Sequence, residues 1–273
     1  MDEPLTSRLT APTRRILKLL AQHGTHRKLK QADPTVTDID ISDAQTETAN
    51  VLGIFTHSPK EAVKRAIAEI KQQIVQKNRQ KQRPDGAYQI KITLRGSKPP
   101  IWRRFVVPAS IALHDLHHVV QAVMGWYDCH LHDFDIDGEQ YVGRSPYGED
   151  LGMEGLDEAE YRLCDVVSAE KEKFNYQYDF GDSWDHTLVV EKIIPAEGKP
   201  KLFVCLAGKG SCPPEDCGGI WGYYQLLETL GNPRHPEHAD MKEWIGGGFN
   251  PDAFEIETLN KRLAPFRRKK RSQ

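Results

Sequence analysis

Apolar residues recur along this chain with two different periods. Near the start, residues 13–22 (TRRILKLLAQ) gather them on one side of a short helix that His23-Gly24 closes. Residues 25–57 are polar with no sustained period, which predicts loop or disorder. A second helix is signalled at Ser58-Pro59-Lys60-Glu61. There serine can cap free N–H groups, proline suits the first turn and glutamate can reciprocate. Val63, Ile67, Ile70 and Ile74 then form one apolar seam, and the helix is expected to run to about Gln82, before Pro84.

Beyond Pro84-Asp85-Gly86 the period drops to two. Tyr88, Ile90, Ile92 and Leu94 alternate with polar residues as a half-buried strand, and IWRRFVV (101–107) predicts another. Leu113, Leu116, Val119, Val120 and Val123 mark the buried side of a helix over 113–124. Strands over 130–136 and 139–142 flank Asp137-Gly138, a hairpin signal. Strands over 174–180 and 184–194 flank Gly181-Asp182-Ser183, and helices over 219–230, 237–244 and 255–263 follow. Strands and helices come in blocks, which predicts an α+β fold. A mixed or largely antiparallel sheet is packed with helices, behind a helical N-terminal extension. The domains are expected at 1–85, a basic and partly disordered extension; 86–265, the main domain; and 266–273, a basic tail.

Composition narrows the function. The 273 residues are 38% hydrophobic and 28% charged, as in a globular protein, and no run approaches the roughly 18 apolar residues of a membrane span. The start MDEPLTSRLT lacks a basic-then-apolar signal pattern, so the expected compartment is the cytoplasm, with no membrane partner. Five cysteines without scaffold spacing are expected to be reduced thiols. Charge is strongly asymmetric. Residues 1–85 carry 15 Lys+Arg against 10 Asp+Glu, residues 86–265 carry 17 against 29, and Arg267, Arg268, Lys269, Lys270 and Arg271 crowd the tail. Basic arms therefore flank an acidic body, and Lys64, Arg65, Lys71, Arg267, Arg268, Lys269 and Lys270 are the candidate nucleic-acid contacts. The competing reading of the 60–82 helix is a solvated face on a docked helix.

Four segments in order carry a family resemblance. They are the 88–94 strand with Pro100-Ile101-Trp102-Arg103-Arg104; the 113–126 helix leading into His130-Leu131-His132-Asp133-Phe134; Tyr178-Asp179-Phe180-Gly181-Asp182-Ser183-Trp184-Asp185-His186; and Cys212-Pro213-Pro214-Glu215-Asp216-Cys217-Gly218-Gly219 running into Gly222-Tyr223. Over residues 86–265 the chain resembles the plasmid pRiA4b ORF-3-like family. The resemblance implies a compact α/β domain carried on plasmids, mobile elements and bacterial chromosomes, and it implies no reaction. The resolvase label attached to such proteins finds no support, since no α/β catalytic domain follows Ser7.

Three constellations could carry chemistry. Cys212 and Cys217, with His130 and His132, are the candidate metal ligands, and zinc is the candidate cofactor, because thiolates and imidazoles suit its tetrahedral site. A structural loop or a redox pair would also explain the cysteines. Asp133, Asp135, Asp137 and Gly138 open like an EF-hand loop, but Arg144 stands where a bidentate glutamate belongs, so calcium is rejected. Alternation instead sets His132, Phe134 and Ile136 on one face and the aspartates on the other. Asp179, Asp182 and His186, joined by Glu215, are the candidate catalytic groups, with His186 as general base; a tight turn is the alternative for 179–186. The leading expectation is a non-catalytic bacterial binding or regulatory module, its arms on nucleic acid and its body on a protein or small ligand. The rivals are a metal-assisted hydrolase, which requires these segments to converge on one cleft, and a protein-interaction domain.

Overall fold

A computed structural model of the protein describes residues 5–23, 25–52, 60, 62–70, 86–143, 153 and 155–269. Two compact units divide the chain, Met1–Arg83 and Pro84–Gln273.

The first unit is helical: α1 (Ala11–His23), α2 (His26–Ala32), α3 (Asp38–Leu52) and α4 (62–70). Within the stretch 25–57, expected as loop or disorder, residues 26–32 and 38–52 instead form α2 and α3, and residues 53–57 lie outside the described residues. Local caps explain it. The Thr25 hydroxyl accepts the Lys28 N–H at 3.3 Å. At α3 the Thr37 N–H donates to Asp40 at 2.8 Å, and the Asp40 N–H returns a bond to the Thr37 hydroxyl at 3.2 Å. Leu29, Val36, Ile41 and Ala44 then bury in one core with Leu17 and Leu20. Glu47 of α3 accepts the Thr10 N–H at 2.6 Å, satisfying the free donor where α1 begins. In α4 Ile70 is buried as expected, but before it the seam shifts by one position: Ala62 and Ala66 are buried, while Val63 and Ile67 are only partly so. Alanine lets a helix backbone approach its neighbours closely, so the small residues face the core. The proposed cap at Ser58 and the seam residue Ile74 lie outside the described residues.

The second unit is α+β. Its strands are β1 (Ala87–Leu94), β2 (Trp102–Pro108), β3 (His132–Ile136), β4 (Glu139–Val142), β5 (Leu156–Asp157), β6 (Lys173–Tyr178), β7 (Trp184–Ile194) and β8 (Val204–Lys209). They form one sheet in the order β5-β4-β3-β6-β7-β1-β2-β8, antiparallel at every pairing except β4 with β5. The hairpin at Asp137-Gly138 forms as its sequence predicts, both residues taking positive φ (55° and 79°). Phe134 and Ile136 are buried and Asp137 is exposed, following the expected alternation. The edge strands β5 and β8 are additions to the sequence reading.

Helix α5 (Leu113–Met124) buries Leu113, Leu116, Val119, Val120 and Val123 completely, as the apolar period dictates. Gly125, left-handed at φ 105°, ends it, and its N–H bonds the Gln121 carbonyl at 2.8 Å. Arg103, buried on β2, donates to Val123 O in the last turn of α5 (3.1 Å) and to Lys209 O on β8 (3.0 Å). One guanidinium thus ties the helix end to two strands and satisfies carbonyls that would otherwise be orphaned. The remaining helices are α6 (Leu163–Val166), α7 (Gly219–Gly231), α8 (His238–Trp244), α9 (Ile256–Arg262) and α10 (Ala264–Lys269). Among the described residues no helix is long and apolar enough to cross a membrane.

His186 on β7 is fully enclosed, edge-on to Trp126 with ring centroids 5.2 Å apart. The backbone of Trp184 and Tyr176 lies near it, yet neither ring nitrogen meets a partner with hydrogen-bond geometry. Burial therefore pushes its pKa from 6.5 down to about 3. Between those values the unfolded chain binds a proton that the folded chain refuses, so stability is full above pH 6.5 and falls as the pH drops. Urea unfolding from pH 7 to pH 4 is expected to show this loss, of the order of 1 kcal/mol per pH unit from this group. The His186→Leu variant is expected to have a shallower slope; an unchanged slope would contradict the assignment.

Candidate functional site

The polar groups of the body collect where α5, the segment 125–132, β6 and the loops 158–160, 179–183 and 212–218 meet. On α5 the apolar stripe leaves room for two i,i+4 pairs, His114 with His118 and His117 with Gln121. His117 and Gln121 are buried, and His114 and His118 lie farther out.

Protons in the inner pair can be assigned from the amide network. The Asp128 N–H donates to Gln121 Oε1 at 3.2 Å, so Gln121 must present its NH₂ to the Tyr176 hydroxyl, 2.9 Å away. Tyr176 then directs its own proton to His117 Nδ1 at 2.8 Å, which leaves the His117 proton on Nε2. That proton is donated to Asp128 Oδ1 at 2.6 Å. Burial holds His117 neutral, its pKa near 4. Asp128 also receives His118 Nδ1 at 3.1 Å. These two bonds hold its carboxyl far below the usual range, and Asp128 in turn raises the pKa of His118.

A second carboxylate mirrors this one. Glu158 is 1% exposed and receives His114 Nδ1 and His132 Nε2, each at 3.0 Å. Burial opposes its ionisation, but the His132 and His114 bonds outweigh it and hold the carboxyl below its ordinary pKa. His132 stacks on His117, centroids 3.4 Å apart and planes 3° from parallel. His114 and His118 close the circuit with Nε2 atoms 3.2 Å apart. Four imidazoles and two carboxylates thus make a closed ring.

A smaller cluster adjoins this ring through Tyr178. His130 Nε2 lies 3.2 Å from Asp216 Oδ1 and 3.6 Å from Asp179 Oδ2, yet it is enclosed and has no hydrogen-bond partner. Asp179, held at φ 57°, uses Oδ1 to accept the Gly181 and Asp182 N–H groups at 2.9 and 3.3 Å, which turns Oδ2 towards His130. Tyr178 donates to Glu215 Oε1 at 2.8 Å, and the same oxygen accepts the Tyr127 N–H at 3.0 Å. Among the described residues two groups have three donor atoms close enough to share a cation: His117, His118 and Asp128, and His130, Asp179 and Asp216. Beside the second group opens a cleft of about 490 Å³ lined by Trp126, Tyr127, Pro213, Glu215, Trp244 and Phe249. A neighbouring one of about 290 Å³ reaches Asp216 and shares Trp244.

The expected sites are redistributed. His130, Asp179 and Glu215 do converge, joined by Asp216. His186 is apart from them in the core, and Asp182 instead accepts the Gly218 N–H at 3.1 Å. The four expected metal ligands do not form one cluster. His130 faces two aspartates and His132 binds Glu158, while Cys212 and Cys217 enter neither donor group. Burial raises the Cys212 thiol well above its ordinary value and Cys217 to about 12. Of the basic residues, Lys64 and Arg65 are exposed on α4, whereas Arg267 donates to Phe203 O at 3.0 Å and Asn260 Oδ1 at 3.2 Å. Arg268 and Lys269 end α10, and Lys71 and Lys270 lie outside the described residues. His114, His117, His118, Asp128 and Glu158 were absent from the expected set, though three histidines at i, i+3 and i+4 on a helix were a readable signal.

Residues 86–258 match the family model described as plasmid pRiA4b ORF-3-like protein. The chain belongs to the plasmid pRiA4b ORF-3-like family. The uncharacterized protein y4hQ of Sinorhizobium fredii (strain NBRC 101917 / NGR234) is 39% identical over 174 residues, which is 63% of this chain and 88% of that protein. A crystal structure of a protein of unknown function, MM3350 from Methanosarcina mazei Go1, is similar at a TM-score of 0.57 and 35% identity, covering 63% of this chain and 96% of that one. Both donor groups lie within the part of the chain that matches the family, and the helical first unit lies outside it.

The loop 179–183 of this family domain is held by a close backbone approach. Gly219, at φ 65°, opens α7 so near Asp182 that a Cβ would fall 2.3 Å from its carbonyl oxygen. Gly219→Ala is expected to cost roughly 2 kcal/mol or more in chemical denaturation. A loss below about 0.5 kcal/mol, the range of an ordinary surface substitution, would show that the loop can move aside.

Proposed function

We propose that the family domain is a divalent-metal-dependent module, with His130, Asp179 and Asp216 as cation ligands, and that hydrolysis is its reaction class. The observation that carries this reading is the His130 Nε2 atom, enclosed and unbonded while facing two carboxylates. A buried imidazole nitrogen without a partner costs free energy, and a cation between it and the carboxylates removes that cost. One imidazole with two carboxylates suits Zn²⁺ or Mn²⁺, and three protein ligands leave positions for water and substrate, as in catalytic rather than structural sites. Asp179 is oriented by the Gly181 and Asp182 N–H groups, the kind of outer-shell support metal ligands need.

The aromatic cleft beside Glu215 supports a substrate site next to the cation, and Glu215 is the candidate proton acceptor. The excess of acidic residues over 86–265 favours a neutral or cationic substrate. Nucleic-acid binding by the tail has less support, because Arg267 is committed within the domain.

Elemental analysis of untagged full-length protein after Zn²⁺ or Mn²⁺ loading and desalting tests this. About one ion per chain is expected at this site, read as the ion that disappears in His130→Gln and in Asp179→Asn, the latter chosen because asparagine tolerates positive φ. Hydrolysis of neutral and cationic chromogenic ester and amide substrates is expected to disappear with chelator. Metal at trace level, or a metal content unchanged in both variants, would overturn the site; metal without hydrolysis of any substrate would reduce the reading to metal-dependent binding.

A further inference from the structure

The closed ring of imidazoles and carboxylates contains one joint made by two imidazole nitrogens and no carboxylate. His114 commits its Nδ1–H to Glu158, and His118 commits its Nδ1–H to Asp128. Both acceptors are carboxylates already fixed by other donors, His132 on Glu158 and His117 on Asp128. A neutral imidazole has one proton. With that proton on Nδ1 in both rings, both Nε2 atoms carry lone pairs, and these face each other at 3.2 Å. Something electrophilic belongs between them.

We propose that His114 and His118 form a transition-metal site on α5, taking a borderline cation such as Zn²⁺, Ni²⁺ or Cu²⁺ and completing its shell with water. Four features of the geometry point the same way. The two histidines stand at i and i+4, the spacing that brings imidazoles onto one helix face and serves zinc in helical metal motifs. Two ligands at 2.0–2.1 Å from a tetrahedral ion lie about 3.3 Å from each other, close to the observed separation. Each ring is backed by a carboxylate on its far nitrogen, the arrangement that fixes tautomer and orientation in metal-ligating histidines. Finally, the side chains are 51% and 35% exposed, so an ion can enter and water can fill the remaining positions.

The ring also explains why this pair would bind rather than its inner neighbours. His117 carries its proton on Nε2 and spends it on Asp128, so it has no lone pair to offer there. His117, His118 and Asp128 are therefore a hydrogen-bonded support, with the coordinating face turned outward to His114. Two carboxylates within the ring supply the compensating negative charge. This site shares no ligand with His130, Asp179 and Asp216, so the two can be tested separately.

The test is calorimetric titration of the full-length protein with Ni²⁺, alongside the visible spectrum of the Co²⁺-loaded form. The expected result is a site whose affinity falls by more than about tenfold in His114→Gln and in His118→Gln, and which His130→Gln leaves intact. Histidine ¹⁵N spectra are expected to show Zn²⁺ shifting the Nε2 resonances of His114 and His118 while Nδ1 stays protonated. Both substituted residues are partly exposed, and circular dichroism verifies that the variants fold. Equal Ni²⁺ affinity in wild type and the two variants, or no Ni²⁺ binding by wild type, would overturn the proposal and leave a shared proton as the joint. Binding lost only in His130→Gln would overturn it too, while supporting the other site.

Discussion

The stacking of His117 on His132 is the contact on which the polar half of this domain depends. One ring comes from the middle of α5 and the other from the start of β3, and their centroids lie 3.4 Å apart. Burial holds His117 neutral within this stack. Its single proton then decides which nitrogen meets Asp128. Asp128 accepts from His117 and Glu158 pairs with His132, and each carboxylate reaches a second histidine of the helix. A charged residue in place of either ring would break the stack and leave a carboxylate short of a donor.

This arrangement lets a domain with an ordinary apolar core carry a dense polar cluster at its edge. Buried polar groups are tolerable when each is satisfied, and here the network runs through Tyr176, Gln121 and the Asp128 backbone so that the donors and acceptors of the inner pair are matched. His186, only one strand away, shows the contrary case. It lies among aromatic rings with both nitrogens unmet and has lost its basicity to burial. Proximity in sequence to Asp182 and Asp185 gave it no carboxylate, because residues 184–194 form a strand that turns its side chain into the core.

Much of the fold could be read from periodicity. The limits of α5 and its buried residues follow from apolar spacing alone, as do β1, β2, β7 and the Asp-Gly hairpin. The N-terminal unit was harder to read because its second and third helices rest on caps and a few buried residues, Leu29, Val36, Ile41 and Ala44, scattered through polar sequence. Composition averages over such sites and misses them. The sites were legible in proportion to their locality. Three histidines within five residues of one helix can be seen in the sequence, but Glu158 joins them from 44 residues beyond His114, through a loop no local rule connects to α5. Cysteines drew the metal assignment by residue type, although among the described residues Cys212 and Cys217 enter neither three-donor group.

The order of strands has a consequence for how the chain reaches this state. β1 lies in the interior of the sheet, paired on one side with β2, its immediate successor, and on the other with β7, whose residues run from Trp184 to Ile194. During synthesis the β1–β2 hairpin can close early, but its second edge stays open until β7 has left the ribosome. Non-local pairing of this kind is slow because loop entropy must be overcome first, and an open edge recruits other strands in the meantime. The alternation of Gln89, Lys91 and Thr93 with the buried residues of β1 puts polar groups along that waiting strand. Its solvent face thus has a protective role before the protein has folded at all.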